Sequence, residues 1–501
     1  MPVLYGKPYL TVTSPLEPPV QGRKHITAQA GDAFSYSIRP LLFSFLSFRM
    51  NTPTQLPAHV TLGHAFWYWL KLGFISFGGP AGQISIMHQD LVERKHWISE
   101  RRFLHALNYC MVLPGPEAQQ LAIYIGWLMH RTWGGVIAGL LFIVPSFFLL
   151  MLLSWIYIRF GQLPEVAAIL YGIKPAIMAI VVVAAHRMGT RALKNGLMWI
   201  IAAMSFFAIF ALSTPFPLIV LCAALLGIIG GRIAPNKFVL GGTHGSPQHC
   251  YGPALIDDET PIPEHARFSY LRLFKIVGVG LVLWSGMMGF LCWQLGWSNA
   301  LTQMGWFFTK AALLTFGGAY AVLPYVYQGA VEHFHWLSAT QMMDGLALGE
   351  STPGPLIMIV TFVGFLGGWS QLPLGPDSAL MAAVVAAGVV TYFTFLPSFL
   401  FILAGGPLVE STQGNLKFTA PLLAITAAVV GVILNLAVFF AVQVFWPQGF
   451  AGSFDVIAAM IGMLALLALF RYKVGVIPVI TVAGVLGLLC LFVKPLIELT
   501  L

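Results

Sequence analysis

Read as alternating apolar and polar positions, the chain is a succession of long apolar runs, most of them near the roughly 20 residues needed to cross a bilayer, separated by short charged or Gly/Pro-rich breaks. Cutting at those breaks predicts spans near 60–77, 103–128, 133–157, 166–187, 196–213 and 215–231. A polar stretch follows, and then runs near 271–296, 300–317, 345–369, 378–404, 418–446, 453–470 and 474–495. The expected fold is an all-α polytopic membrane protein with about 13 transmembrane helices, in a range of about 10 to 14.

The polar stretch, 232–268, contains "GGTHGSPQHCYGPALIDDETPIPEHARF", whose Gly, Pro and acidic content disfavours a packed element and marks a linker. The predicted organisation is a polar N-terminal tail over 1–58, a first transporter repeat over 59–231, the linker over 232–268, an extra connecting helix over 269–298 and a second repeat over 299–501. The tail lacks the charged, apolar and small-residue regions of a signal peptide. Its "FSYSIRPLLFSFLSF" is too short and interrupted to span, so it is expected to be untranslated or disordered, with Met50 an alternative start to Met1.

Composition sharpens the class. Apolar residues make up 58% and charged residues 9%, with a mean hydropathy of +0.82, against about a quarter charged in soluble domains. The net charge of +8 reads as topology rather than nucleic-acid binding. With the tail inside, the loops carrying Arg131, Arg187, Arg191, Lys194, Arg232, Lys237, Arg471 and Lys473 also fall inside. One loop disagrees: "ERKHWISERR" at 93–102 falls outside despite its four basic residues. The five cysteines are scattered without a CxxC or a His-Cys cluster, so neither a metal, a disulfide framework nor a cofactor is expected.

The strongest pattern is a repeat. A constant offset of 239 residues places 67–116 on 306–355 with identities at 15 of 50 positions. They fall on Trp67/Trp306, Lys71/Lys310, Phe77-Gly78-Gly79/Phe316-Gly317-Gly318, His96-Trp97/His335-Trp336 and Pro114-Gly115-Pro116/Pro353-Gly354-Pro355, among others. Chance alignment of apolar helices would match Leu, Val and Ala instead. "VPSFFL" at 144 recurs as "LPSFLF" at 396. Two homologous six-helix halves with one span between them would enter the bilayer from opposite sides, an inverted-topology repeat.

Adjacent glycines and Pro-Gly-Pro interrupt helices. At membrane depth such breaks are tolerated only inside protein or beside a wet cavity, and the half-helix that follows offers free N–H groups suited to an anion. The alternative is that the glycines only allow close helix packing. Lys71 and Lys310 lie inside apolar runs, one helical turn after Trp67 and Trp306, and either supply charge to a site or snorkel to an interface. Lys174 is also intramembrane, and the main acids are Glu117 and Glu350, which either couple ions or pair locally. A core whose charge is balanced or positive suits an anion. The histidine and tryptophan of "VERKHWIS" and "VEHFHWLS" are either gating groups (His96, Trp97, His335, Trp336) or interfacial anchors.

The stretches "GFISFGGPAGQISIMHQDLVERKHWISE", "MVLPGPEAQQLAIYIGW", "LLTFGGAYAVLPYV" and "STPGPLIMIVTFVGF" closely resemble the chromate ion transporter (CHR) family in its long-chain form with two homologous halves, from about Leu62 to the C-terminus. The resemblance implies a bacterial inner-membrane secondary transporter that exports chromate and confers resistance to it, not an enzyme. A transporter or exchanger of sulfate or another oxyanion is the alternative. The family motifs fall on Phe77, Gly78, Gly79, Pro80, Trp97, Pro114, Gly115 and Pro116, and in the second half on Phe316, Gly317, Gly318, Trp336, Pro353, Gly354 and Pro355. With Lys71 and Lys310, the glycine and proline breaks are the expected substrate-binding residues. Ala319 stands opposite Pro80 and Leu356 opposite Glu117, so the site cannot be chemically symmetric. The expected partners are chromate and sulfate, lipid, and a second copy of the chain as a homodimer.

Overall fold

The computed structural model describes residues 60–235, 238, 252–258, 260–261, 263–411 and 419–498; the tail over 1–58, with Met50, lies outside them. The described residues form sixteen α-helices, short 3₁₀ and π segments, and one isolated β-bridge.

Six of the helices are long and apolar enough to cross a membrane, and four shorter ones are also apolar. The chain is thus an all-helical, multi-pass membrane protein. In the first half, α1 (Leu62–Ile75) and α2 (Gly79–His88) form a hairpin whose tip is Phe77-Gly78-Gly79. A π-helix over Gln89–Arg94 extends α2 back along α1, so that Trp97 packs edge-on against Tyr68, with ring centroids 5.0 Å apart. A second hairpin follows: α3 (Glu100–Val112) runs to Pro114-Gly115-Pro116, and the first arm of α4 (Glu117–Phe160) returns. The backbone of α4 leaves helical geometry at His130 and Arg131. There the His130 ring is 2.7 Å from the Val60 carbonyl, back at the level where α1 begins.

The second arm of α4 then crosses the molecule, followed by α5 (Pro164–Ala192), α6 (Gly196–Leu212), α7 (Phe216–Ile233) and α8 (Tyr270–Leu295). The second half opens with α9 (Ala300–Leu314), the tip Phe316-Gly317-Gly318, a 3₁₀ turn at Ala319–Val322, α10 (Leu323–Tyr327) and a π-helix at Gln328–His333. Next come α11 (Ala339–Ser351), Pro353-Gly354-Pro355, a 3₁₀ turn at Leu356–Met358 and α12 (Ile359–Gln371). The last helices are α13 (Ala379–Ser411), α14 (Thr419–Phe445), α15 (Val456–Phe470) and α16 (Val476–Glu498).

The 239-residue offset survives in the backbone. It relates the two π-helices, the helix N-caps Ser99 and Ser338, and α3 to α11. It also relates His96 (φ 50°) to His335 (φ 51°), two non-glycine residues in left-handed geometry. A wide π-turn ending in a left-handed residue swings the chain from one hairpin to the next in both halves.

Two expectations change. The runs at 103–128 and 345–369 are not single crossings. Each is a hairpin of two short arms, because Pro-Gly-Pro lets the chain reverse rather than bend. The linker, expected to lack a packed element, docks in part: the Leu255 and Ile256 amides donate to the His96 and Trp97 carbonyls at 2.8 and 3.0 Å, and Ala254, Ile256 and Ala266 are buried. Its apolar "PALI" covers the wide end of the first-half hairpins, a contribution hidden by the surrounding Gly, Pro and Asp.

Close helix contacts are made through glycines, as in membrane bundles generally. Gly172 of α5 meets Gly487 of α16, Gly227 of α7 meets Pro421 of α14, and Gly431 of α14 meets Ala202 of α6.

Two helices run past the Pro-Gly-Pro tips in opposite senses. The second arm of α4 leaves the wide end of the first-half hairpins and passes Gly354 at Ser146. It ends among second-half residues, where the Tyr157 hydroxyl donates to Asp344 at 2.9 Å. α13 starts against α12, where Ala382 and Ala386 face Gly368, and passes Gly115 at Ser398. It ends in the first half, where the Tyr109 hydroxyl donates to the Phe401 carbonyl at 3.2 Å and the Tyr124 hydroxyl donates to Glu410.

Candidate functional site

The four tips meet. α1 stops at Ile75, and Gly78 and Gly79 follow at φ 88° and 69°; α9 stops at Leu314, and Gly317 and Gly318 follow at 84° and 99°. These are left-handed values that cost an L-residue roughly 1–2 kcal/mol, which is why the reversal is written with glycine. A Cβ on Gly79 would meet nothing within 4 Å, so the requirement there is conformational rather than steric.

The Pro-Gly-Pro tips use glycine for both reasons. Gly115 and Gly354 have φ 129° and 102°. A Cβ on Gly115 would lie 2.6 Å from the Ser398 hydroxyl, and one on Gly354 would lie 2.6 Å from the Ser146 Cβ. Ser146 and Ser398 are the serines of the "VPSFFL" and "LPSFLF" repeat, so each half's serine sits under the other half's glycine.

The backbone exchanges hydrogen bonds in the same reciprocal way. The Gly115 amide donates to the Thr315 carbonyl and the Gly354 amide to the Ser76 carbonyl, both at 2.8 Å. Subtracting 239 from 354 and 315 gives 115 and 76, so these are one contact made twice. Gln83 adds donations to the Ser76 and Gly354 carbonyls. The arms that enter the junction arrive with carbonyl ends, and these bonds occupy the Ser76 and Thr315 carbonyls among them. The arms that leave begin there with free N–H groups, the positive end of the helix dipole.

Polar side chains surround the junction. Ser76, Gln83, Gln119, Gln120 and Ser146 are buried, and each has at least one side-chain atom with no hydrogen-bond partner; for Gln119 both side-chain polar atoms lack one. Each such atom costs about 1–3 kcal/mol, and a cluster of them in an apolar interior is what a site for a polar ligand requires.

Charge comes from three elements. The Glu117 carboxylate, at the N-terminus of its arm, lies 3.5 Å from where a Gly318 Cβ would be. The Tyr320 hydroxyl donates to Glu350 at 2.6 Å. From the end of α5, Arg191 acts electrostatically on Glu117, and Arg187 on Glu350 and Tyr320. Met188 and Thr426 lie against Gly317.

Phe77, Pro80 and Phe316, the glycines and the four prolines of the motifs therefore sit at the junction, with Glu117 and Glu350 beside it. Lys71 and Lys310 do not: Lys71 stands one helical turn, about 6 Å, before the end of α1 at Ile75 and is exposed beside Trp67. Lys310 lies over the Trp306 ring at 5.7 Å. His96, Trp97, His335 and Trp336 are at the wide ends of the hairpins, with both tryptophans buried. Besides the buried serines and glutamines, three charged residues escaped the sequence reading. Arg187 and Arg191 resembled ordinary loop cations, although their spacing of four on one helix was the available signal. Asp344, isolated in an apolar stretch, carries the ion pair to Lys174 at 3.5 Å.

Comparison with known proteins follows the same division. The profile of the family described as "Chromate transporter" matches residues 63–228 and 302–488, one match to each half. A chromate transport protein of Pseudomonas aeruginosa is 31% identical over 446 residues, covering 87% of this chain and 94% of the relative. One of Cupriavidus metallidurans is 29% identical over 414 residues, covering 82% and 89%. A probable chromate transport protein of Synechococcus elongatus is 28% identical over 426 residues, covering 84% and 94%. No solved structure matches. With family matches over both halves and most of its length shared with these relatives, the chain belongs to the chromate transporter family.

Proposed function

We propose that the chain is a secondary transporter of the bacterial inner membrane that exports chromate through the junction of the four tips and thereby confers chromate resistance. The observation that carries the reading is the set of buried donors without partners, the Ser76 and Ser146 hydroxyls and the Gln119 amide nitrogen, set among helix N-termini. A tetrahedral oxyanion accepts hydrogen bonds from N–H, hydroxyl and amide donors together, and Arg187 and Arg191 supply positive charge nearby. The names of the relatives support chromate as that oxyanion.

The halves are read as an inverted repeat. In support, α4 and α13 pass the tips in opposite senses, and the wide ends of the two sets of hairpins lie at opposite ends of these helices. The polar site then lies near the bilayer midplane, where such transporters place it. Moving a dianion out of an inside-negative cell releases about 4.6 kcal/mol per 100 mV, twice the roughly 2.3 kcal/mol of a single charge. Export therefore needs no nucleotide hydrolysis. Glu117 and Glu350 are the groups placed to couple protons, and this is transport, not catalysis.

The test is chromate flux into proteoliposomes holding the purified chain at a clamped potential, with sulfate as competitor. Potential-driven accumulation that sulfate weakens supports the reading. Accumulation of sulfate in preference to chromate would reassign the substrate, and no flux of either would remove it.

A further inference from the structure

A cavity of about 510 Å³ opens between α1 and the π-helix that follows α2, on the outer side of the first hairpin, running along α1 from His64 to Ile75. Lys71, Arg94 and Lys95 line it, with Asp90 as the acid. Asp90 is bound to Arg94 at 3.1 Å. Neither Lys71 nor Lys95 has an acidic partner among the described residues; Lys95 rests instead over the Tyr68 and Trp97 rings at 5.5 and 5.3 Å. The cavity thus carries an excess of two positive charges.

Its outer wall is apolar and exposed. Trp67, Lys71 and Phe74 are spaced as one face of α1, and Trp67 and Phe74 are 68% and 57% exposed. A lysine on an otherwise apolar exposed face needs a counter-charge within the bilayer.

The second half supplies an internal comparison. There Arg94 and Lys95 are replaced by His333 and Phe334, and Phe334 stacks on Trp336 with centroids 4.6 Å apart. Helix α8 lies over the corresponding face of α9, where Trp284 approaches Trp306 and donates to Thr309 at 3.0 Å. Helix α8 covers part of one face, leaving Trp306 36% and Leu313 45% exposed, and the related face is more open and cationic.

We propose that this cavity binds the phosphate headgroup of an anionic phospholipid, with Lys71 and Lys95 on the phosphate and the acyl chains along Trp67 and Phe74. The hairpin of α1 and α2 returns Arg94 and Lys95 to the end where α1 begins and His130 meets Val60, so this basic loop lies on the same side as Arg131 and agrees with the positive-inside pattern.

The test is native mass spectrometry of the full chain incubated with equal amounts of phosphatidylglycerol and phosphatidylcholine, which needs no transport activity and so stands or falls apart from the proposed function. The native chain and Lys310→Gln should retain phosphatidylglycerol preferentially. Lys71→Gln with Lys95→Gln should lose about 30-fold of that preference, about fivefold for each cation. The pair Lys71→Arg and Lys95→Arg should keep it, separating lost charge from a damaged fold. Equal retention of both lipids by the native chain, or a preference untouched in the glutamine pair, would overturn the proposal. Displacement of the lipid by millimolar inorganic phosphate would also overturn it by indicating a site for free oxyanions, and a lipid-free dimer would do so by indicating a second chain on this face.

Discussion

Gly354→Ala is the substitution that most sharply tests how the tips are held. The residue has φ 102°, and its new Cβ would lie 2.6 Å from the Cβ of Ser146 and 2.9 Å from its hydroxyl. The backbone contributes about 1–2 kcal/mol of strain and the overpacking against α4 about 1–3 kcal/mol, together about 2–5 kcal/mol. Gly79→Ala has a similar φ of 69° but nothing within 4 Å, so it should cost only the first part. Gly115→Ala falls between them, because the atoms it meets are the ends of the Gln120 and Ser398 side chains, which can move. Thermal unfolding of the purified variants in detergent should rank them Gly354→Ala, Gly115→Ala, Gly79→Ala, from most to least destabilised. Adding Ser146→Gly to Gly354→Ala should recover part of the loss, since it removes the steric contribution at a helix cost of about 1 kcal/mol. Equal destabilisation by Gly354→Ala and Gly79→Ala, or no recovery with Ser146→Gly, would refute the close approach of the Pro-Gly-Pro tip to α4.

The pair of the half-buried Lys174 with the buried Asp344, with Tyr157 as second donor, should lose up to about 3 kcal/mol on Asp344→Asn, because a partly solvated unpaired charge remains. Lys174→Met combined with Asp344→Leu should recover most of it in a double-mutant cycle. Glu117→Gln and Glu350→Gln should leave chromate flux driven by potential while removing any part driven by a pH gradient; gradient-driven flux surviving in both would show that neither carries the proton. In the docked linker, burial pushes the His265 imidazole below its usual 6.5. Its neutral form is therefore favoured in the folded chain, and the stability it contributes is present above about pH 6.5 and lost as pH falls. Hydrogen exchange at 254–266, corrected for intrinsic rates, should quicken at pH 5, and His265→Gln should flatten that response.

The repeat was legible because its identities fall on residue types that apolar helices do not match by chance, and the offset of 239 extends into the helix bounds. What the breaks do was not legible. Hydropathy is the same whether a helix continues beyond Pro114-Gly115-Pro116 or turns back on itself, so two hairpins read as two spans. The reciprocal bonds from Gly115 to Thr315 and from Gly354 to Ser76 join residues about 200 and 280 positions apart, beyond the reach of local pattern. The lysines misled for a related reason. Their place in an apolar run fixed their depth along the helix but not the face they occupy, and Trp67, Lys71 and Phe74 together mark an outward one. Gln119 and Gln120 were passed over as neutral side chains beside a conspicuous glutamate, although two adjacent amides within an apolar arm were the available sign of a polar site.

The central claim is that the buried polar atoms at the junction serve the anion rather than the fold, and Gln119→Leu separates the two. Neither polar atom of this side chain has a protein partner, so an apolar replacement of similar volume removes a desolvation cost of about 1–3 kcal/mol. Chromate flux into inside-out vesicles at an inside-positive potential, measured beside the melting temperature of the same protein, should show a stable or stabilised chain with much reduced flux. Undiminished flux in Gln119→Leu would contradict the placement of the anion path at the junction.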